Sequence, residues 1–135
     1  MTVTLDYVEN LFNYLKIGEN KKFFEKVANN VNWTVMGTHP LAGIYNSRGE
    51  FVSKTFIRLN QLLKEDIILK VNNIIVQGDN AVVKMISFAT ALNGMPFNNT
   101  YCWIVKFENE IIVEVRAYVD SALVQKVINE NEKTI

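Results

Sequence analysis

From Ile67 to Asp120 the apolar pattern alternates with a period of two, in four long stretches separated by turn formers. The stretches are Ile67–Gln77, Ala81–Leu92, Pro96–Glu108 and Ile111–Asp120, joined by "GDN", "NGM" and "NEI". Period-two runs joined by tight-turn chemistry predict antiparallel β-hairpins in series. A chain committed to such a meander must bury one face of the resulting sheet. The first half supplies the cover. In "TLDYVENLFNYLKIG" the residues Leu5, Val8, Leu11, Phe12 and Leu15 recur at helical spacing, and Gly18 is placed to stop the helix. A short second helix is predicted over "NKKFFEKVANN" with Asn20 as N-cap, then a short strand "VNWTVMG" and a loop "THPLAGIYNSRG". A third helix follows over "EFVSKTFIRLNQLLKED", with Phe51, Phe56, Leu59, Leu62 and Leu63 as its apolar stripe; "SALVQKVINENE" closes the chain as a fourth, capped by Asp120 or Ser121. The order predicts a single α+β domain over residues 1–135, with about four helices on one face of a curved sheet.

The last hairpin allows a finer reading. With Asn109 and Glu110 as the loop, counting outward sets Trp103 opposite Arg116, Tyr101 opposite Tyr118 and Asn99 opposite Asp120. On that register Glu114, Arg116, Tyr118 and Asp120 share a face with Phe97, Asn99, Tyr101, Trp103, Val105 and Phe107. A row so rich in aromatics suits a concave wall under helices, apolar at one end and polar at the other, which is the shape of a small-molecule site. With Asn93-Gly94 as the loop of the preceding hairpin, Phe88 falls opposite Asn99 and Ile86 opposite Tyr101, both adding apolar wall, and Lys84 falls beside Trp103.

Composition narrows the function. The 14 basic and 14 acidic side chains balance and are spread along the chain, so no basic face is available to neutralise phosphates and no nucleic-acid partner is expected. No apolar run is long enough to span a membrane, and "MTVTLDYVENLF" lacks a basic segment followed by an apolar one, so the expectation is a cytoplasmic protein. A single cysteine, Cys102, cannot form an internal disulfide or a thiolate cluster. A hydrophobic content of 49% is high for a small domain and points to an interior cavity or a subunit interface.

With this layout, "VNWTVMGTHPLAGIY", the motif W-x-V-x-G-x-H-P-L-A-G from Trp33 to Gly43, and the pair N-x-Y-x-W (Asn99, Tyr101, Trp103) and R-x-Y-x-D (Arg116, Tyr118, Asp120) resemble the SnoaL-like polyketide cyclase family. That family belongs to the nuclear transport factor 2-like, ketosteroid-isomerase-like superfamily. The resemblance spans nearly the whole chain. It implies a cone-shaped sheet around a deep apolar pocket, a homodimer formed through the sheet's outer face, and acid–base chemistry with no metal or organic cofactor. It also implies that Asp120 stands where such cyclases place a catalytic aspartate, and that Tyr14 stands where the isomerases carry an oxyanion-donating tyrosine. Two departures go with it: no acid follows the second helix as the isomerases require, and "VVKMISFATA" lacks the Arg-x-Asp of the limonene-type epoxide hydrolases.

Each candidate carries two readings. Asp120 is a proton carrier with a raised pKa among aromatics, or a helix N-cap. Arg116 anchors a carbonyl or anionic ligand, or neutralises Glu114 or Asp120. His39, the one side chain that titrates near neutrality, partners Asp120, or it orders its loop through a backbone carbonyl; it stands too isolated for a metal site. Asn99, Tyr101 and Tyr118 offer donors to a carbonyl or enolate, or satisfy one another. Trp33, Phe56, Phe88 and Trp103 form pocket wall and core, Tyr14 is a further donor or a packing residue, and Cys102 packs on the outer face. Three functions follow: a cofactor-independent acid–base enzyme of isomerase, cyclase or hydrolase type acting on an apolar carbonyl compound, a non-catalytic ligand-binding or dimerisation module, or a transport adaptor binding protein partners over an exposed apolar patch, which nothing in the sequence marks.

Overall fold

The computed structural model describes residues 2–132. Its centre is a curved six-stranded sheet in the order β2-β1-β6-β5-β4-β3, with helices packed across the concave face. The strands are β1 (Val27–Val35), β2 (Gly43–Tyr45), β3 (Lys70–Gln77), β4 (Asn80–Ile86), β5 (Thr100–Glu108) and β6 (Ile111–Val119). All pairs are antiparallel except β1 with β6, which makes the sheet mixed. β1 is longer than its sequence pattern predicts, because pairing with β6 recruits "VANN", which reads as the end of a helix. β2 lies in the stretch read as loop; pairing Trp33 with Tyr45 gives it a partner.

Helix α1 (Leu5–Lys16) starts where Thr4 Oγ1 accepts the Tyr7 N–H at 3.1 Å, and Gly18 follows it at φ +79°. Its buried stripe is Val8, Leu11, Phe12 and Leu15. The next helix, α2 (Asn20–Phe24), takes Glu19 rather than Asn20 as its N-cap residue. Helix α3 (Arg48–Phe51) runs through a π-helical turn (Val52–Ile57) into α4 (Arg58–Asn60). Last comes α5 (Ser121–Asn131), capped by Asp120, whose Oδ1 accepts the Leu123 N–H at 3.3 Å.

The register of β6 overturns the expected face assignment. Asn109 and Glu110 do form the loop, both at positive φ, and next to it Glu108 pairs with Ile111 and Phe107 with Ile112. Then Lys106 pairs with Glu114, so Val113 is an extra residue and the strand bulges. Beyond it every pairing moves by one: Trp103 faces Ala117 and Tyr101 faces Val119. A one-residue slip moves a strand's side chains to the other face. Val115, Ala117 and Val119 therefore point inward, while Arg116 and Tyr118 point outward beside Ile104 and Cys102. The preceding hairpin differs likewise. Its loop has three residues, Leu92 to Gly94, closed by the Ala91 N–H to Met95 O bond, so Met85 and Val83 face Tyr101 and Trp103. Lys84 then lies on the outer face opposite Cys102, and Phe88, expected in the wall, is 62% exposed.

The concave side is mostly filled. Trp33 stacks on Phe51 with ring centroids 3.8 Å apart and meets Trp103 edge to face at 5.1 Å; Phe12, Phe23 and Phe24 extend the cluster. The turn at Asn109-Glu110 is of the type that needs both central residues left-handed, which suits Asn and strains Glu. Glu110→Gly is expected to raise stability by about 1 kcal/mol in urea unfolding, since the bond that Tyr7 makes to this position uses the Glu110 backbone oxygen.

Candidate functional site

What the aromatic cluster leaves open is a cavity of about 60 Å³, on the usual allowance of roughly 15 Å³ each enough for a few water molecules. The sheet contributes Val35, Phe97, Tyr101, Trp103, Ala117 and Val119 to its wall; Tyr118 stands at its edge. The helical cover contributes Phe51, Thr55, Phe56 and Leu59, with Val124 from α5. The π turn explains that set: one extra residue per turn brings both Thr55 and Phe56 onto the face that Phe51 and Leu59 occupy. Thr55 Oγ1 donates back to Phe51 O at 2.6 Å.

Besides Tyr118 at the edge, three polar side chains reach this apolar space. His39 is 4% exposed; the Leu41 N–H donates to its Nδ1 at 3.1 Å, which places the ring proton on Nε2, donating to Met36 O at 3.1 Å. Both nitrogens are thus occupied, and burial holds its pKa below the ordinary value against the partial opposition of the Met36 carbonyl. Tyr101 Oη lies 3.1 Å from the buried Ser87 Oγ. Burial pushes its phenol well above the usual range, offset in part by Ser87, so it keeps its proton. Thr55 is the third, its hydroxyl proton already committed.

No protein-family profile matches the chain. Among characterised proteins it is 29% identical over 113 residues to the dimerizing cyclase phiC of a fungal species, covering 81% of this chain and 50% of that one. It is 30% identical over 136 aligned positions to the dimerizing cyclase tstC of Talaromyces stipitatus, covering 96% of this chain and 59% of that one. The chain thus spans between half and three fifths of the relatives it matches. Among solved structures, an NTF2-like protein of Burkholderia thailandensis superposes with a TM-score of 0.78 at 21% identity, over 91% of this chain and 95% of that one. TerC, co-crystallised with polyporic acid, superposes with a TM-score of 0.74 at 15% identity, over 93% and 97%. The chain has the nuclear transport factor 2-like fold.

Within this fold the candidate residues separate into two groups. Tyr101, Trp103, Phe56 and His39 meet at the cavity, and Tyr118 borders it while remaining exposed. Trp33 is fully buried behind Phe51 and Trp103. Asn99 is buried next to the cavity wall, between Phe97 and Tyr101. The remaining four lie elsewhere. Asp120 is exposed, its carboxylate turned to the α5 N-terminus; Arg116 is on the outer face, donating to Asn32 Oδ1 at 2.9 Å with Glu114 at 3.5 Å. Phe88 is at the surface, and Tyr14 packs half-buried beside α2 with Lys22 Nζ 5.8 Å from its ring centre. The expected pairing of His39 with Asp120 does not form; the imidazole is spent on its own loop. Thr55, Leu41 and Val124 were not singled out from the sequence, although Thr55 follows Phe51 by four residues and so falls on the stripe of its helix.

Because the folded pKa of His39 is lowered, the unfolded chain binds the proton more tightly, and its contribution to stability is complete above about pH 6.5. Stability is then expected to fall as pH drops from 6.5 through the folded pKa, with a slope approaching about 1.4 kcal/mol per pH unit. Urea unfolding at a series of pH values checks this against His39→Gln, in which that part of the slope disappears.

Proposed function

We propose that this domain holds an apolar small molecule in the hollow of the cone and acts on it as a cofactor-independent cyclase or isomerase, with Tyr101 as the electrophilic donor. The observation that carries the reading is the Tyr101 hydroxyl, backed by buried Ser87 and set in an otherwise apolar wall. Ser87 Oγ also accepts the Asn99 N–H, at 3.3 Å. When the Ser87 proton goes to Tyr101 Oη, the phenol proton is free to donate to a guest carbonyl. As that carbonyl gains electrons during ring closure or double-bond migration, the donor stabilises the developing oxyanion, and low dielectric strengthens the effect. The naming of two relatives as dimerizing cyclases, and the polyporic acid held by TerC, support a guest with oxygen substituents on an apolar body. A guest of that size requires the wall to open beyond the present 60 Å³, and Val124 on α5 and the loop residue Leu41 are wall residues carried outside the sheet.

One observation favours the rival reading of a non-catalytic binder: among the described residues no carboxylate lines the cavity, and the one imidazole has both nitrogens engaged. Polyporic acid as a probe separates the two. Titration followed through the fluorescence of the Trp33–Trp103 pair is expected to show saturable quenching, with affinity weakened about tenfold in Tyr101→Phe, near the loss of one hydrogen bond. For an enzyme, Tyr101→Phe lowers turnover of a cyclisable carbonyl substrate by roughly 10²- to 10³-fold while the Michaelis constant changes little. Binding without turnover of any such substrate assigns the domain to the binders; absence of quenching rejects the site.

A homodimer through the outer sheet face belongs to the same proposal. Paired residues across all six strands place Ile44, Thr34, Arg116, Ile104, Val82 and Ile75 at one level of that face. Ile44, Ile104 and Ile75 are exposed. The neighbouring level is polar, running through Asn32, Glu114, Lys106 and Asn80, so the isoleucines and Val82, interrupted by Thr34 and Arg116, have a hydrophilic border, as interfaces have. Ile104→Glu is expected to convert a dimer to a monomer in sedimentation equilibrium without loss of helical and sheet signal.

A further inference from the structure

Asn99 is 1% exposed, yet half of its amide has no partner. Its Oδ1 accepts two backbone N–H groups, from Thr100 at 2.7 Å and from Asp120 at 3.1 Å. That pair fixes the orientation, because a flipped amide would set its NH2 against two donors. The Nδ2 is therefore a buried donor without an acceptor, a group that folded proteins seldom leave unpaired. Its position is inward. The β4–β5 ladder continues past the named strands, with Ser87 N–H donating to Asn99 O and Phe97 N–H to Ala89 O, so Phe97, Asn99 and Tyr101 share the concave face. Phe97 and Tyr101, on either side of it, both line the cavity.

We infer that the Asn99 Nδ2 group is the second recognition donor of the cavity, completed by an oxygen acceptor on the guest. The inference rests on the reading of the cavity as the binding site and narrows the ligand class. Tyr101 can give or receive a hydrogen bond, whereas an amide NH2 only gives. Two residues along an extended strand put these groups roughly 7 Å apart at the backbone. The guest is accordingly an apolar ring carrying two oxygen acceptors, such as carbonyl or enolate oxygens, and not an ammonium group, which only donates. Reaching Asn99 requires the same widening of the cavity that binding itself requires.

Amide NMR of the intact chain with cyclohexane-1,4-dione, cyclohexanone and the isosteric hydrocarbon methylenecyclohexane tests this. Expected is a downfield shift of the Asn99 side-chain protons with the dione that the hydrocarbon does not produce, while cavity residues such as Val124 respond to all three. Asn99→Asp keeps the two backbone bonds, since a carboxylate accepts both, and removes the donor. It is expected to lower dione affinity at least tenfold and leave hydrocarbon affinity within twofold. Cavity shifts with an unmoved Asn99 side chain overturn the inference, a buried water then being its partner, and leave the binding site standing. An absence of shifts at the cavity with every probe overturns both. If Asn99→Asp does not fold, the wild-type spectra alone decide.

Discussion

Between Ile112 and Glu114 the strand β6 carries one residue more than β5 has opposite it, and the chemistry of both sheet faces follows from that surplus. With Val113 bulged out, three small apolar residues, Val115, Ala117 and Val119, complete the inner wall. Arg116 and Tyr118 go to the convex face, where Arg116 finds Asn32 and Glu114. Without the bulge an arginine would enter an aromatic interior that offers it no carboxylate among the cavity-lining residues. The desolvation of an unpaired guanidinium far exceeds the modest cost of a local bulge. Burial energetics, more than turn chemistry, therefore decide the register.

The same interior divides its space between cohesion and vacancy. The stacked and edge-to-face rings of Trp33, Phe51, Trp103, Phe12 and Phe23 occupy most of the concavity. Pairs of this kind contribute about 0.5–1.5 kcal/mol each beyond their buried area. Where the cluster ends, the wall is formed by smaller side chains, Val35, Ala117, Val119 and Val124, and there the hollow begins. The π turn belongs to this boundary: it places Phe56 against Phe24 and Phe51 while setting Thr55 toward the opening. β5 is held by strands on both sides, whereas the His39 loop is held by bonds within itself and by the Tyr45 hydroxyl and Arg58 guanidinium donating to the Leu41 and Pro40 carbonyls.

Much of this was legible in the residues. Hydrophobic period separated the helical half from the β meander, and the row Phe97, Asn99, Tyr101, Trp103, Val105 and Phe107 points inward as its composition requires. Asp120 was readable as a helix cap from its position before "SALVQKV". The facing row was not legible, because a bulge at a valine within a run of β-branched residues has no compositional mark. Glycine, the usual sign of a bulge, is absent there. The hidden strand at Val27–Asn30 was missed for a related reason: two asparagines read locally as a helix end, and only β6 beside them makes them a strand.

That outcome changes which chemistry the cone can perform. A cavity built around Asp120 would abstract a proton; on the proposed reading, one built around Tyr101 and the Asn99 amide would instead hold electron density in place with neutral donors. Neutral donors require no counter-charge in an apolar wall, so they coexist with Trp103 and Phe97 where a carboxylate without hydrogen-bond donors of its own would not. The exterior position of Asp120 and the lowered pKa of His39 then belong to one design, in which, among the described residues, the ionisable groups lining the cavity are a histidine and tyrosines and not a carboxylate. A guest entering such a site meets no charge to neutralise. On the proposed reading its binding energy would come from its apolar body and its orientation from two oxygens.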